Sequence, residues 1–432
     1  MIKFAEESGE GRTMRGVTRR DFLKYVGVAG SMALGLQFLG CAQQETKPSP
    51  VETETVETAE KKEIVIGALF DLTGPTGDVG KDYAQGVQDY VRLVNERGGV
   101  NGYMIKLEYV DYAYKVPEAL SAYRNFKSMG VPGIIGWGTG DTDALRQDVA
   151  RDKIVYISAS YSPKLTNPAE APYNFVTITD YTTQLRAVLK FAKENSDKEK
   201  PKVVFIYPNV PYGTDPIPGG KEYAEELGFE IGPDEIVDLK ATSAMEQLQR
   251  VKEFGADFAW VGGTISSTSV ILKNAMDLGL ETTFMVNVWG WDKRIIELAG
   301  EAAEGHYYNW PGVLWGDESA KGMADILYAH NTWHPDDGGH TIHYIKGWLN
   351  AMMMLKGIQM VVDKGEEVTG ENIKHELETL RDYDPEGLAP PISWFPDDHR
   401  PSMVNKIYTV REGKIELLGI EELERRADWL GK

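Results

Sequence analysis

From Glu63 onward, short and wholly apolar runs alternate with amphipathic stretches, and this alternation restricts the possible folds more than any other feature of the chain. The apolar runs are Ile64–Leu69, Ile105–Val110, Gly133–Ile135, Ile154–Ile157, Val203–Ile206, Phe258–Val261 and Phe284–Val288. Helix-like stretches separate them: Tyr83–Asn95, Val116–Ser128, Thr182–Glu194, Gly219–Leu227, Ser243–Phe254 and Ser269–Leu278. Strands buried on both faces read as unbroken apolar runs, and intervening helices supply the crossovers of parallel βαβ units. One series ends before Asp180 and a second begins at Lys202. After Gly312 come helical stretches at Ser319–Ala329 and Thr341–Val362, then a strand-like pair near Ile407–Val410 and Lys414–Leu418. An amphipathic acidic–basic stretch, expected to be helical, closes the chain. The fold class expected is α/β, with two doubly wound parallel-sheet lobes and the chain crossing back between them.

Ahead of this body lies Thr18-Arg19-Arg20-Asp21-Phe22-Leu23-Lys24, followed by an apolar run from Tyr25 to Gly40 that stops at Cys41. A twin-arginine segment, a short apolar core and a small residue before the cut site make an export signal over residues 1–41. The apolar run is about 16 residues long against the roughly 20 that span a bilayer. Phe38-Leu39-Gly40-Cys41 resembles a lipobox, although Phe38 departs from the usual Leu; an uncleaved anchor helix is the alternative. Cys41 is the only cysteine of 432 residues, which suits a thiol whose fate is a covalent lipid. Disulfides, thiolate metal sites and cysteine nucleophiles are therefore excluded from the body. Residues 42–62, AQQETKPSPVETETVETAEKK, hold no aromatic side chain and cannot offset their ordering entropy by burial, so they are expected to be a flexible linker.

Residues 1–41 carry six of the 46 Lys/Arg and four of the 66 Asp/Glu, leaving 40 basic against 62 acidic residues. A balance of −22 on the exported part repels nucleic-acid phosphates and anionic headgroups. No nucleic-acid partner is expected, and no cofactor.

In open α/β sheets, ligands bind outside the carboxyl ends of the strands where the strand order reverses. The loops after the strands are Asp71–Gly80, Gly136–Asp143 and Ser158–Ser162. Gly136-Trp137-Gly138-Thr139-Gly140-Asp141-Thr142-Asp143 runs directly into a helix, whose amides and hydroxyls favour an anion. Ordinary capping by Asp141 is the competing explanation of that run. Ser158-Ala159-Ser160-Tyr161-Ser162 adds small hydroxyls and one aromatic ring.

The chain resembles the substrate-binding proteins of branched-chain amino-acid-type ABC importers, which have the type I periplasmic-binding-protein fold. The resembling segments are IVIGALFDLTGPTGDVG, LVNERGGVNGYMIKLEYVD, VYISASYSPKLTNP, PYNFVTITD, PYGTDPIPGGKEYAEELGF, VDLKATS, KNAMDLGLETTFM and GEAAEG, in order from about Glu63 to beyond Gly300. The resemblance implies a three-segment hinge, with crossings near Asp180, Gly312 and Ser393. The lobes would be 63–180 plus 313–392 and 181–312 plus 393–432. It implies a monomeric receptor that closes on a small-molecule ligand and delivers it to ABC permease and ATPase subunits. It would sit outside the cytoplasm, at the outer face of the cell membrane or in the periplasm, held to the membrane by the lipid on Cys41.

Carried over residue by residue, the resemblance implies that Thr139, Gly140, Asp141 and the adjoining Thr142 grip a ligand carboxylate, with Ser160, Tyr161 and Ser162 in the next loop. It implies Tyr212 as an aromatic lid, Thr264 from the second lobe, and a residue close to His343. Amino-acid-binding members place a carboxylate for the ligand ammonium where this chain has Val288 or Trp289. A buried ammonium without a partner is costly, so such a pocket should reject α-amino acids. Asp141 or Asp292 could substitute, which keeps a branched-chain or other amino acid open as the ligand. Trp137, Tyr161, Trp289 and Trp291 would give flat apolar walls, or serve as ordinary core. The ligand expected is a small, carboxylated, non-α-amino compound, aromatic or otherwise.

His330, His334, His340 and His343 fall within fourteen positions, with spacings of four and three that resemble metal-ligand spacing. Nothing else in the sequence builds a site around them, so no metal is expected; His340 or His343 would suit an anionic ligand. No Gly-x-Ser-x-Gly, Walker loop or His-Glu-x-x-His occurs, and no enzyme is expected. A ligand-sensing receptor module acting with a separate signalling partner is the remaining class.

Overall fold

A computed structural model describes residues 62–432. The twin-arginine signal, Cys41 and all but the last residue of the 42–62 linker lie outside the described residues. The first elements are β1 (Glu63–Phe70), α1 (Gly77–Glu96), β2 (Met104–Asp111), α2 (Val116–Ser128), β3 (Gly133–Gly136), α3 (Thr139–Asp152), β4 (Val155–Ser158) and β5 (Asn174–Phe175). A second series follows: α4 (Tyr181–Glu194), β6 (Lys202–Tyr207), α5 (Pro211–Thr214), α6 (Ile217–Glu226), β7 (Glu230–Ile236), α7 (Met245–Phe254), β8 (Phe258–Val261), α8 (Ile265–Asp277), β9 (Thr283–Val286), α9 (Ile295–Ala299) and β10 (Tyr307–Asn309). Then come α10 (Met323–Trp333), α11 (Ile342–Asp363), α12 (Gly370–Leu377), β11 (Val404–Arg411) and β12 (Lys414–Glu422).

These strands form two sheets. The first has the order β2-β1-β3-β4-β5 and is parallel throughout. The second has the order β12-β11-β10-β9-β8-β6-β7. It is parallel from β7 to β10 and antiparallel where β11 and β12 are added. In each sheet the chain moves outward on one side of its first strand and then returns to build on the other. The order therefore reverses between β1 and β3, and again between β6 and β8. The inner strands β3 (GIIG) and β8 (FAWV) are buried along their whole length, as helices on both faces require.

Helices α1 and α11 pack together against the first sheet. Their contact depends on two glycines. A Cβ at Gly86 would stand 2.1 Å from the Tyr344 carbonyl, and one at Gly347 would stand 1.9 Å from the Tyr83 carbonyl. The backbones meet so closely that no side chain fits between them. Helix α4 starts on Asp180, whose carboxylate accepts the Thr183 N–H at 2.9 Å, and packs on α6 and on β10 to β12. Among the described residues, no helix is long and apolar enough to cross a membrane.

The sequence reading missed β5, β7, β10 and the helices α5, α9 and α12. Two- and three-residue strands show no periodicity, and β7 carries Gly232 and Pro233 at the sheet edge, where proline is tolerated. The strand-like pair expected near Ile407–Val410 and Lys414–Leu418 is present as β11 and β12, whereas the helix expected to close the chain is a correction. Glu412 and Gly413 both take positive φ, 51° and 69°, and turn the chain into the antiparallel hairpin of β11 and β12. Only a single 3₁₀ turn, Ala427–Trp429, follows.

Candidate ligand-binding site

The loops at the two strand-order reversals face one another. Thr76 and Val79 follow β1, Trp137, Gly138 and Thr139 follow β3, Tyr212 follows β6, and Thr264 follows β8. Tyr114, Ala159, Tyr181 and Trp289 complete the wall of a small, partly open space. Among the described residues, no acidic or basic side chain lines it.

Hydroxyls and indoles set its chemistry. The Trp137 indole donates to Thr76 Oγ1 at 2.8 Å, and Thr139 Oγ1 lies 2.7 Å from Ser160 Oγ. Thr142 Oγ1 donates to the Gly138 carbonyl at 2.5 Å and lies 2.9 Å from Ser158 Oγ, which accepts the Ser160 N–H. Gly138 caps α3 with extended backbone and without a side chain. A Cβ there would stand 2.4 Å from Asp141 Oδ1 and 2.6 Å from the Tyr112 hydroxyl. Gly138 and Thr139, at the start of α3, line the space, and a helix start is a position that suits an anion. Asp141 points behind that turn. Tyr112 donates to its Oδ1 at 2.7 Å, and burial pushes its carboxyl up to about 7.

Trp289 reaches from the loop after β9 toward residues of the first sheet. It stacks on Tyr161 (centroids 5.9 Å, 11°) and His343 (5.2 Å, 15°), and meets Trp137 edge-on at 5.0 Å. Its indole donates to the Tyr181 hydroxyl at 3.0 Å. Behind it, Lys346 Nζ donates to the Val288 carbonyl at 2.5 Å, lies 2.9 Å from His343 Nδ1, and sits 4.2 Å from the Trp289 ring centroid. Burial pushes the Lys346 ammonium well below its ordinary range. Burial, with the neighbouring Lys346, lowers His343 to about 4. Asp292 lies 3.2 Å from His343 Nε2 and accepts from Arg294 at 2.5 Å. Burial works to raise the Asp292 carboxyl, but the Arg294 and His343 partners hold it below the usual carboxylate range.

Contacts bridge the two sheets at the rim. Ser266 Oγ donates to Asp78 Oδ2 at 2.6 Å, Thr264 Oγ1 at 3.1 Å, and the Ser266 N–H at 3.3 Å, so Asp78 at the start of α1 occupies the start of α8. Ser162 Oγ donates to Asp215 at 2.5 Å and Lys164 Nζ at 2.9 Å. Lys293 donates to the Gly338 and Gly339 carbonyls at 3.0 and 2.8 Å.

Of the residues singled out from sequence, Trp137, Thr139, Tyr212, Thr264 and Trp289 are brought together around the one space. Gly140, Asp141, Thr142 and Ser160 form the support behind its α3 wall, Ser162 belongs to the rim, and Tyr161 and His343 stack on Trp289. Trp291 is buried away from the space and donates to the Asn309 carbonyl. Neither candidate acid faces the ligand space: Asp141 serves Tyr112, and Asp292 serves Arg294 and His343. His340 lies in a neighbouring cleft with Lys81, Asp82 and Lys293. The sequence reading missed Thr76, Tyr114 and Tyr181. Thr76 lay in a loop already marked. Tyr114 follows Ala113 with φ of 59° and 50°, a left-handed pair that no sequence pattern announced.

Comparison with known proteins places this geometry. Residues 63–414 match the family described as periplasmic binding protein. A Leu/Ile/Val-binding protein homolog 2 from Brucella abortus is 26% identical over 247 residues, 56% of this chain and 65% of that protein. The chain thus spans just under two thirds of that relative's length. A crystal structure of an ABC transporter substrate-binding protein from Aeropyrum pernix is 32% identical, with a TM-score of 0.78 over 85% of this chain and 98% of that one. A fatty acid ABC transporter substrate-binding protein from Thermomonospora curvata shares the fold at 20% identity, with a TM-score of 0.75 over 84% of this chain and 93% of that one. Its two reversed sheets and the match over most of its length agree: this chain belongs to the periplasmic binding protein family, whose members are solute-binding receptors rather than enzymes.

Proposed function

We propose that this protein is an extracytoplasmic receptor, tethered by a lipid on Cys41, that captures a small carboxylated compound lacking an α-ammonium group and delivers it to an ABC importer. The observation that carries this reading is the lining of the pocket. Six hydroxyls (Thr76, Tyr114, Thr139, Tyr181, Tyr212, Thr264), two indoles and the start of α3 surround it, with no carboxylate to pair an ammonium. A ligand carboxylate would take the α3 amides and the Thr139 hydroxyl, and a flat or compact apolar body would lie against Trp137 and Trp289. The names of relatives include binders of branched-chain amino acids and of fatty acids, so the carboxylate is the shared element and the ammonium is not. We assign the lobes as 63–180 plus 313–392 and 181–312 plus 393–432. The ligand then holds the lobes together by its differential affinity for the closed state.

Thermal unfolding of the full chain against aromatic acids, short aliphatic carboxylates, amides and α-amino acids tests the reading. A ligand at about one hundred times its dissociation constant adds about 2.7 kcal/mol. The expected result is a clear melting shift with a compact aromatic or aliphatic acid and none with leucine or valine. A shift with leucine or valine at micromolar affinity would overturn the non-α-amino assignment.

A further inference from the structure

Two of the clustered histidines, His334 and His340, converge on an acid from a distant part of the chain. His330 and His334 lie one turn apart in α10 and at its end, and His340 lies just before α11. Asp89 comes from the middle of α1, about 245 positions earlier, and is almost wholly buried. His334 Nε2 stands 2.9 Å from Asp89 Oδ2, and Asp89, His334 and His340 each offer a ligand atom within 4.8 Å of the others. Ligands on a tetrahedral ion with bonds of 2.0–2.1 Å stand about 3.3 Å apart, so side-chain shifts of about 1.5 Å or less would close the set.

The surroundings are those of an oriented ligand set. His340 Nδ1 lies 2.8 Å from Asp82 Oδ1, and Asp82 is held in turn by the Thr341 N–H at 2.7 Å and by the Thr341 hydroxyl. A carboxylate only accepts, so Nδ1 donates to Asp82 and Nε2 is the ring nitrogen left for an ion. That Nε2 is buried and has no partner, and the same holds for Nδ1 of His330, each residue being 8% exposed. The His330 and His340 rings lie 5.1 Å apart. Asp89 is oriented by Gln85 Nε2 at 2.9 Å and by the Tyr344 hydroxyl at 2.8 Å. A carboxylate behind a histidine and hydrogen bonds behind an acid are what fix ligands around a metal ion. Imidazole with one carboxylate suits zinc and its neighbours among the divalent transition metals, and not the hard, oxygen-seeking magnesium ion. His340 also lines the open cleft beside Asp78 and Asp82.

We propose that Asp89, His334 and His340, with His330 beside them, form a binding site for one divalent transition-metal ion of the zinc class, separate from the solute pocket.

Full-length chain stripped with a chelator is titrated with zinc, nickel and magnesium chlorides by calorimetry, alongside His334→Gln, His340→Gln, Asp82→Asn and, as a control, His375→Gln. The expected result is one saturable zinc site, nickel competing for it and no magnesium binding. The two histidine variants should lose at least 100-fold in zinc affinity, Asp82→Asn about 10- to 100-fold, and His375→Gln nothing. Melting curves taken in chelator show whether each variant is folded, and Cys41 is present in all of them. Absence of a saturable zinc site in the parent chain, or equal zinc affinity in folded His334→Gln and His340→Gln, would overturn the proposal.

Discussion

A carboxylic acid placed beside an anion-binding helix start repels the guest unless it keeps its proton. Asp141 sits in the first turn of α3, buried, with one oxygen taken by Tyr112 and the other unpartnered. Burial pushes its carboxyl up to about 7, whereas the unfolded value lies near 3.9. Between those values the folded chain holds a proton that the unfolded chain has lost. Stability should therefore fall as pH rises from about 4 to 7, by about 1.4 kcal/mol per pH unit from this residue. Asp141→Asn keeps the carbonyl that Tyr112 needs and has no proton to lose. Denaturant unfolding at pH 4.5, 5.5 and 6.5 should show the variant gaining steadily on the parent; a constant gap between them would mean that Asp141 is ionised in the fold. The sequence placed Asp141 at a helix start, but not which way it faced. That depends on Tyr112, from a different strand end, and no local pattern encodes it. Trp289 is a parallel case: the family resemblance pointed to the loop after β9, while its stacking on Tyr161 and His343 arises only when the two sheets meet.

The contact between helices α1 and α8 is made by one side chain. Asp78 takes the Ser266 and Thr264 hydroxyls and the Ser266 N–H, where the partial positive charge of α8 favours a carboxylate. Hydrogen bonds to a charged group contribute about 1.5–3 kcal/mol, and about 1.4 kcal/mol is a factor of ten in affinity. Asp78→Asn should therefore weaken ligand binding by about tenfold or more and enlarge the radius of gyration of the unliganded protein in small-angle scattering. Unchanged affinity and size would show that the contact does not hold the lobes. Element by element, the strands buried on both faces, β1, β3, β6 and β8, were legible because apolar runs of four or more have few alternatives. Of the edge strands, β2 and the first half of β12 were legible as well, whereas β7, broken by Gly232-Pro233, was not. Beyond Leu418 the acidic residues Glu421 and Glu422 of β12 also suit a surface helix, and pairing with β11 carries the strand through to Glu422. Asp89 in α1 was the missing half of the histidine cluster. Its signal was an acid on the buried face of an amphipathic helix, between Val87 and Val91.

At the scale of the whole molecule, the net charge of −20 opposes capture of an anion, yet the cleft beside the pocket is lined by Lys81, Lys240, Lys293 and Arg294 against Asp78 and Asp82. Range decides between these fields. At 0.1 M salt the screening length is about 10 Å, so charges spread over the far surface are largely hidden from an arriving ligand while those of the cleft are not. A low-dielectric cleft also focuses the field of its own lining. The association rate of a carboxylate ligand should therefore fall as salt is raised, although protein and ligand carry the same sign of charge. Lys81 and Lys240 are exposed and outside the pocket wall, so the double variant Lys81→Gln, Lys240→Gln should slow association and flatten its salt dependence while leaving dissociation unchanged. Stopped-flow tryptophan fluorescence reads both rates, given Trp137 and Trp289 in the wall. An association rate that rises with salt would mean that the overall charge governs the approach and that the basic residues of the cleft serve only the contacts between the lobes.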